Sequence, residues 1–321
     1  NLKDYAGIGL AAAGLDQARC DERLASAQVR YQLRQAYFQL LYTQEQITLL
    51  EQIRKIRQTN AQMVALAYNS GRESKGNMLI TQADLSASEA DLAQAQRTLR
   101  VAQQALNHAL GRPAAATGTL NDQCYIPAAP AWETMAAALP NLPQIRRDEA
   151  AIAQSRASLQ QAWSEAVPNL SANYTRGWTG QTFFPPNPAW TASLNLTWPI
   201  FSGGPTTTYF AVAAAQDQLD KTEADKTADL EQLQAAAESS WSALMSAIAQ
   251  VGVQKQYQDA ALQREAEANI EYSNGLLVFE NWNQVVTALV VYEKQYLSAR
   301  LNAVLAEINW QNALQTTLEE K

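Results

Sequence analysis

Most of the chain alternates apolar and polar residues with the period of an α-helix. The pattern predicts helices over residues 10–67, 77–110, 144–166 and 207–271, and a last helix ending near residue 318. The second segment has an apolar residue every seven positions: Leu85, Leu92, Leu99 and Leu106. Three positions after each leucine lies a small residue: Ser88, Ala95, Ala102 and Ala109. Such a seam predicts a tight antiparallel coiled-coil pair, with an isolated soluble hairpin as the alternative.

The turn between the first two long helices occurs twice in the sequence. Tyr68-Asn69-Ser70-Gly71 is followed 204 residues later by Tyr272-Ser273-Asn274-Gly275. The correspondence continues without a gap on both sides, as at Glu89 and Glu293. Asn and Ser before Gly favour a turn, because Gly accepts positive φ and Asn and Ser bond locally to the backbone. The sequence therefore predicts two tandem repeats of a long helical hairpin, with tips at residues 68–76 and 272–276.

The period changes from helical to alternating over residues 168–200. One face of the first strand carries Leu170, Ala172, Tyr174 and Trp178, and one face of the second carries Trp190, Ala192, Leu194, Leu196 and Trp198. The opposite faces are small and polar, and Gln181–Ala189 forms the loop. The strands have about 12 and 11 residues, near the roughly 9–11 that cross a bilayer as a tilted strand. Trp at the ends of the apolar stripe favours a membrane β-hairpin over a soluble hairpin packed on the helices.

This segment also predicts oligomerisation. In hydrocarbon an open sheet edge is unfavourable, because its N–H and C=O groups have no partner. One hairpin cannot close a barrel, so copies from other chains are needed. We expect six residues to face lipid: Tyr174, Trp178, Trp190, Leu194, Leu196 and Trp198.

Composition argues against several classes of function. A net charge of −7 argues against a nucleic-acid partner. No apolar run approaches the roughly 18 residues of a transmembrane helix. His108 is the one histidine, too few for a metal cluster or a charge relay without distant partners, and no catalytic or nucleotide-binding motif occurs. We expect no enzyme, metal or cofactor, and a structural or surface role for His108.

Five motifs, in this order, resemble the TolC-like family of outer-membrane efflux and secretion ducts. They are the doubled Tyr-x-x-Gly tips, Ala109-Leu110-Gly111, Ala138-Leu139-Pro140-Asn141-Leu142-Pro143, Val167-Pro168-Asn169-Leu170, and Pro199-Ile200-Phe201-Ser202-Gly203-Gly204. The resemblance covers essentially the whole chain. It implies a homotrimer in the outer membrane, with a 12-stranded β-barrel continuing into a periplasmic α-helical barrel. It also implies two partners, a periplasmic adaptor and an inner-membrane pump or exporter.

The resemblance organises the chain into two repeats, residues 1–111 and 132–321, joined by an equatorial linker over residues 112–131. A short helix near residues 132–139 would open the second repeat. Asn1 corresponds to Pro205, which already follows the β segment. Since family members carry two β-hairpins per chain, we expect the first repeat to lack its own helix and hairpin here.

The resemblance also assigns roles to the tips and to a constriction near them. The tip residues implied to contact the adaptor are Asn69, Ser70, Gly71, Arg72, Ser273, Asn274, Gly275 and Leu276. The family often carries Asp six and nine residues after the second tip glycine, whereas this chain has Asn281 and Gln284, with Glu280 beside them. The equivalents in the first repeat are Asn77 and Ile80. We expect an amide-lined constriction with at most one carboxylate per chain.

Cys20 and Cys124 could form a disulfide. Both project to the upper part of the implied helical body, and an exported protein meets an oxidising compartment. Two free buried thiols are the alternative.

The sequence therefore predicts a passive exit duct for an efflux pump or a type I secretion system, opened when the tip helices splay apart. A periplasmic adaptor is the main rival, but it would carry one helical hairpin between soluble β-domains. A structural coiled-coil spacer is the other rival, and it would not need the Trp-bounded β segment.

Overall fold

A computed structural model describes residues 2–114, 118–132, 138–165, 167–181, 183, 187–198 and 205–319. The helices are α1 (Leu2–Asn69), α2 (Lys75–Ala109), α3 (Pro143–Ser164), α4 (Pro205–Ser273) and α5 (Phe279–Ala313). A 3-10 turn spans Leu139–Asn141, and strands β1 (Asn169–Thr179) and β2 (Asn187–Thr197) lie between α3 and α4. The described chain is mainly helical with a small β segment, as predicted. No described helix has an apolar stretch long enough to span a bilayer.

Helix α1 begins at Leu2, eight residues earlier than predicted, although three glycines lie in its first part. They are Gly7, Gly9 and Gly14. Glycine usually destabilises a helix interior by about 0.5–1 kcal/mol relative to alanine. At Gly9, an added Cβ would come within 3.6 Å of Ala157 Cβ on α3. That distance is ordinary van der Waals contact, so an alanine would also fit at this position.

The last helix is shorter than predicted, ending at Ala313 rather than near residue 318. Gln315 has a φ of 53°, in the left-handed region. The Thr316 N–H donates back to the Gln311 carbonyl over 3.1 Å and closes the helix end. The tail is then held by side chains of α1, since Arg30 donates to the Thr317 carbonyl over 2.7 Å. The helix thus ends in a local turn, and the contacts with α1 hold the tail that follows.

Two sequence motifs lie partly or wholly outside the described residues. They are the motif at 199–204, and the helix predicted near residues 132–139, of which residues 133–137 are not described. The part that is described ends in the 3-10 turn at Leu139–Asn141. Helix α3 then begins at Pro143, where a missing N–H costs nothing.

By contacts, the chain divides into two units, each built from separate segments. The first unit comprises residues 1–25 and 138–234. Its core is made of small and aliphatic side chains, with Ala13, Ile145, Ile152 and Leu219 buried. Ion pairs flank that core, including Arg147 Nε with Asp21 at 2.9 Å.

The second unit comprises residues 26–137 and 235–321. Its apolar clusters follow α5, which packs on α1 along most of its length. One cluster contains Phe38, Leu41, Cys124, Leu301, Val304 and Ile308, and another contains Val64, Ala268, Phe279, Trp282 and Val286. On α2, the seam residues Ser88, Ala95, Ala102 and Leu106 are buried, whereas Ala109 is only partly buried. Leu85, Leu92 and Leu99 are only partly buried, so the small side chains bring α2 close to its neighbours.

The described linker residues cross the second unit without regular structure, held by side chains of three helices. The Cys124 N–H donates to Glu45 Oε1 of α1 over 2.7 Å. Arg300 of α5 pairs with Glu45 Oε2 at 2.9 Å and also donates to the Cys124 carbonyl. Trp241 Nε1 of α4 donates to the Pro130 carbonyl over 3.1 Å. The linker is thus a strap that ties α1, α4 and α5 together.

The two helical hairpins of the second unit repeat with the spacing seen in the sequence. Helices α2 and α5 each have 35 residues. The last residues of α1 and α4, Asn69 and Ser273, are 204 residues apart. Both tips close with the same bonds: the Gly71 N–H donates to the Tyr68 carbonyl over 2.9 Å, and the Gly275 N–H to the Tyr272 carbonyl over 3.0 Å. The assignment of residues 1–111 and 132–321 to two repeats stays a prediction.

Strands β1 and β2 form an antiparallel hairpin whose register places the apolar residues on one face. Leu170 pairs with Leu196, Ala172 with Leu194 and Tyr174 with Ala192. Tyr174 also stacks on Trp190, with ring centroids 6.4 Å apart. The six residues expected to face lipid are all exposed, by 60% to 72%. Arg176 shares this face, opposite Trp190, and the sequence analysis did not place it there.

Valine at either tip glycine should destabilise the turn. Gly71 and Gly275 have φ values of 75° and 73°, and an added Cβ would meet nothing within 4 Å. The cost is therefore conformational, about 1–2 kcal/mol or more for a β-branched residue. We expect Gly71→Val and Gly275→Val to lower the urea midpoint of unfolding. Gly71→Asn should do so much less, since Asn tolerates this conformation, and equal losses for Asn and Val would contradict the explanation.

Candidate functional site

All eight predicted tip residues are exposed, and the two tips lie side by side in the second unit. A groove of about 790 Å³ runs between them. Its apolar wall includes Met63 and Leu66 of α1 and Leu277 and Val278 of the second tip. Leu276, at the second tip, is 79% exposed. The first tip is charged and the second is largely apolar, so the two turns present different chemistry.

A hydrogen bond joins the two tips directly. The Tyr272 hydroxyl, in the last turn of α4, donates to Glu73 Oε1, in the turn before α2, over 2.8 Å. The Asn77 amide donates to the other oxygen of Glu73 over 2.8 Å. Burial, and then the bond to Glu73, raise the pKa of the Tyr272 phenol above its usual value. Tyr272 therefore remains a donor at neutral pH, and the bond is charge-assisted.

The rest of the Tyr272 side chain is held by aromatic stacking. Its ring lies 4.5 Å from the Trp282 ring of α5, at an interplanar angle of 11°. Trp282 is fully buried, and its Nε1 donates to Asn269 Oδ1 of α4 over 2.7 Å. Helices α4 and α5 thus fix the tyrosine, while the first hairpin supplies the acceptor. We name the Tyr272–Glu73 bond the tip bond.

A second polar contact joins the hairpins farther from the tips. Arg57 of α1 pairs with Asp84 of α2 at 3.0 Å and donates to Thr287 of α5 over 3.2 Å. Arg57 is only 8% exposed. Burial lowers the pKa of its guanidinium, and the Asp84 carboxylate opposes that shift. Removing one partner of such a buried pair leaves the other uncompensated.

The predicted constriction residues do not share one surface. Asn77 is half-buried and engaged with Glu73. Glu280 is exposed and lines the groove between the tips. In a separate groove, formed by α4 and α5, lie Asn281 and Gln284.

Asn281 and Gln284 are both exposed. Their groove is also lined by Arg264, Glu267 and Glu271 of α4. The amides therefore share it with two carboxylates that the sequence analysis did not place there.

Sequence analysis also did not identify Glu73, Trp282 or Arg57 as site residues. A signal for Arg57 was available. Ile53, Arg57, Asn60 and Val64 are all buried and recur at the spacing of one helical face. A charged residue within such a face needs a buried partner, so Arg57 could have been predicted to pair with another helix. No comparable local signal connects Glu73 with Tyr272.

The described residues contain no group of three or more His, Cys, Asp or Glu side chains placed to hold a metal ion. His108 is exposed near the end of α2. At the tips, stacking fixes Tyr272 within the second hairpin, and its hydrogen bond to Glu73 joins the two hairpins.

Comparison with known proteins was made for both sequence and structure. No protein-family model matches the sequence, and no curated protein matches it. Solved structures do match. The outer membrane protein VceC from Vibrio cholerae has a TM-score of 0.84 at 16% identity, over 99% of this chain and 77% of that chain.

Two further outer membrane channels are similar. MtrE from Neisseria gonorrhoeae, described in its open state, has a TM-score of 0.82 at 18% identity, over 97% of this chain and 71% of that chain. CmeC from Campylobacter jejuni has a TM-score of 0.78 at 14% identity, over 99% of this chain and 69% of that chain. The chain has the outer-membrane channel fold. The resemblance seen in the sequence is thereby confirmed for the fold.

Both cysteines are free thiols in the structure. The disulfide considered from the sequence is therefore not formed. Cys124 is 3% exposed and packs among Phe38, Leu301 and Val304. Burial, followed by the nearby Glu45 carboxylate, raises the pKa of its thiol to about 11. Since the thiolate is the reactive form, both burial and this pKa disfavour oxidation of Cys124.

The two thiols should differ in their reactivity. We expect iodoacetamide at pH 8 to modify the folded protein once, at the half-buried Cys20. With a pKa of about 11, only about one Cys124 in a thousand is ionised at that pH. Intact-mass measurement should show one added group, and a second only after guanidinium unfolding. A Cys20→Ser control should stay unmodified while folded, and rapid labelling of that variant would contradict the burial argument.

Proposed function

We propose that this chain is a subunit of a passive outer-membrane exit duct, serving an efflux pump or a type I secretion system. The observation that carries the proposal is the combination within one fold of two long helical hairpins and a β-hairpin with an exposed apolar face. Similarity to VceC, MtrE and CmeC supports it. The duct catalyses no reaction, and the energy for transport comes from a partner.

The β-hairpin supports insertion in the outer membrane. Exposure of its apolar residues to water would be unfavourable. Each strand of the two-stranded sheet also has one edge that pairs with no other described strand. In lipid those edges need neighbouring strands. Copies from other chains would close the barrel, which supports the homotrimer that the resemblance implies. Tyr174, Trp178, Trp190, Leu194, Leu196 and Trp198 would then face lipid.

The exposed tips are suited to contact a partner. We propose that Asn69–Arg72 and Ser273–Leu276 meet a periplasmic adaptor, which connects the duct to an inner-membrane pump or exporter. The charged first tip and the apolar second tip would offer that adaptor two different contacts. The helices would then extend into the periplasm.

The tip bond suggests how the duct is kept closed. Splaying the tips requires Tyr272 and Glu73 to separate, since they belong to different hairpins. A hydrogen bond to a charged group contributes about 1.5–3 kcal/mol net. The Arg57 contact lies farther along the same helices and would remain as the tips part. We propose that the tip bond is the first contact broken on opening.

Conductance in planar bilayers tests both the duct and the tip bond. We expect Tyr272→Phe and Glu73→Gln each to raise the ratio of open to closed channels by about tenfold or more. This factor corresponds to the free energy of the lost hydrogen bond. The double variant should gain little beyond either single one.

Tyr68→Phe is the matched control for this experiment. Tyr68 lies 204 residues before Tyr272, at the equivalent position of the first tip, and its variant should leave the open ratio unchanged. If no variant, including the unmodified chain, forms channels, the proposed duct is wrong. If channels form but the control and Tyr272→Phe behave alike, only the tip bond is wrong.

The exposed amides suggest a further test of the constriction. We propose that Asn281 and Gln284, with Glu280 nearby, line the narrow end of the duct. A variant with both Asn281→Asp and Gln284→Asp would add six carboxylates to a trimer, and with them affinity for divalent cations. We expect stronger block by millimolar divalent cations in that variant than in the unmodified channel. Equal block in both would instead assign cation binding to carboxylates already present, such as Glu267 and Glu271.

A further inference from the structure

Two carboxyl groups in the first unit share a single amide donor. Gln144, in the first turn of α3, donates from Nε2 to Asp148 Oδ1 over 3.3 Å and to Asp229 Oδ2 of α4 over 3.1 Å. Asp148 and Asp229 therefore face each other across the contact between α3 and α4. Two ionised carboxylates held this close repel each other, and one amide cannot neutralise them.

The pair has an unfilled hydrogen-bonding position. Asp148 Oδ2 is buried, and no donor reaches it among the described residues. When both carboxyls are ionised, neither can donate a hydrogen bond to this oxygen, because a carboxylate only accepts hydrogen bonds. A proton on either carboxyl would supply the missing donor. Burial, and then the Asp229 charge, raise the pKa of the Asp148 carboxyl to about 6.

The cations near the pair are engaged with other carboxylates. Arg147, next to Asp148 on α3, pairs through Nε with Asp21 of α1 at 2.9 Å. Lys226, on α4, pairs with Glu149 of α3 at 2.9 Å. Both cations favour the ionised form of Asp148, yet burial and Asp229 outweigh them. The charged groups facing the pair from all three helices therefore leave Asp148 more easily protonated than an ordinary carboxyl.

We propose that Asp148 and Asp229 form a pH-responsive clasp between α3 and α4, closed when the pair shares a proton and loosened when both carboxyls are ionised. This property is independent of the proposed duct, since it concerns only the contact between two helices of one unit. The clasp would make the contact between α3 and α4 sensitive to pH near 6, the range in which histidine usually titrates. The one histidine of the chain, His108, lies outside the first unit.

The sign of the effect follows from the direction of the shift. A carboxyl whose pKa is higher in the folded state than in the unfolded state binds its proton more tightly when folded. Its contribution to stability is complete below the ordinary pKa of 3.8 and is lost as the pH rises through about 6. Between pH 5 and pH 7.5, the equilibrium constant for closing the contact should fall about tenfold.

Hydrogen–deuterium exchange on the full chain in detergent tests the clasp. Peptides of α3 would be compared at pH 5 and pH 7.5, after division by the intrinsic exchange rate at each pH. We expect protection of α3 to fall about tenfold with rising pH in the unmodified protein. Asp148→Asn and Asp229→Asn should each abolish the dependence and keep α3 protected at pH 7.5, because an amide can donate to the remaining carboxylate at any pH.

Asp217→Asn is the matched control, since Asp217 is an exposed carboxyl on the same helix as Asp229. This variant should retain the dependence of the unmodified protein. Protection that does not change with pH in the unmodified protein would overturn the clasp. A pH dependence that persists in either Asp148→Asn or Asp229→Asn would also overturn the clasp. Two variants are used so that the test remains valid if one of them misfolds.

Discussion

Close approach of long helices through small side chains is the constraint on which the rest of this structure depends. Ser88, Ala95 and Ala102 give α2 buried positions with small side chains. Helices this close leave room for few large side chains. The larger apolar residues, such as Phe38 and Trp282, are therefore concentrated in separate clusters along α5. Larger residues on the seam would force the helices apart and disturb every contact between hairpins.

Polar contacts join the hairpins at several levels along the helices. Tyr272 reaches Glu73 at the tips, Arg57 reaches Asp84 and Thr287 farther along, and Arg300 reaches Glu45 and the strap. Their burial differs: Arg57 is nearly inaccessible, while the tips are open to solvent. Solvent screens exposed pairs, whereas loss of one partner of a buried pair leaves the other charge buried and uncompensated. This gradient is consistent with our proposal that the tip is the part of the interface that separates first.

The same chemistry has a different consequence in the first unit. There, Asp148 and Asp229 bring two like charges to one helix contact rather than opposite charges. The tip bond uses a phenol that stays protonated at neutral pH, so its strength should not follow acidity. The Asp148 carboxyl, whose pKa is raised to about 6, is the group expected to change charge. In our proposals, one chain thus contains a contact that breaks when the hairpins separate and another that responds to protons.

The sequence by itself determined the helices, the two tip turns, the β alternation and the fold class, because these depend on local periodicity and on glycine at positive φ. The helix ends differed from the sequence prediction. Helix α1 begins earlier although three glycines lie near its start, and α5 ends earlier at a left-handed Gln315, after which Arg30 of α1 holds the tail. Only the tertiary structure showed that Tyr272 meets Glu73, Arg57 meets Thr287, and Asp148 meets Asp229. These partners are far apart in sequence, and their contact depends on how each helix is rotated and shifted against its neighbour. That alignment is set by side-chain packing over the whole interface, which no local pattern encodes.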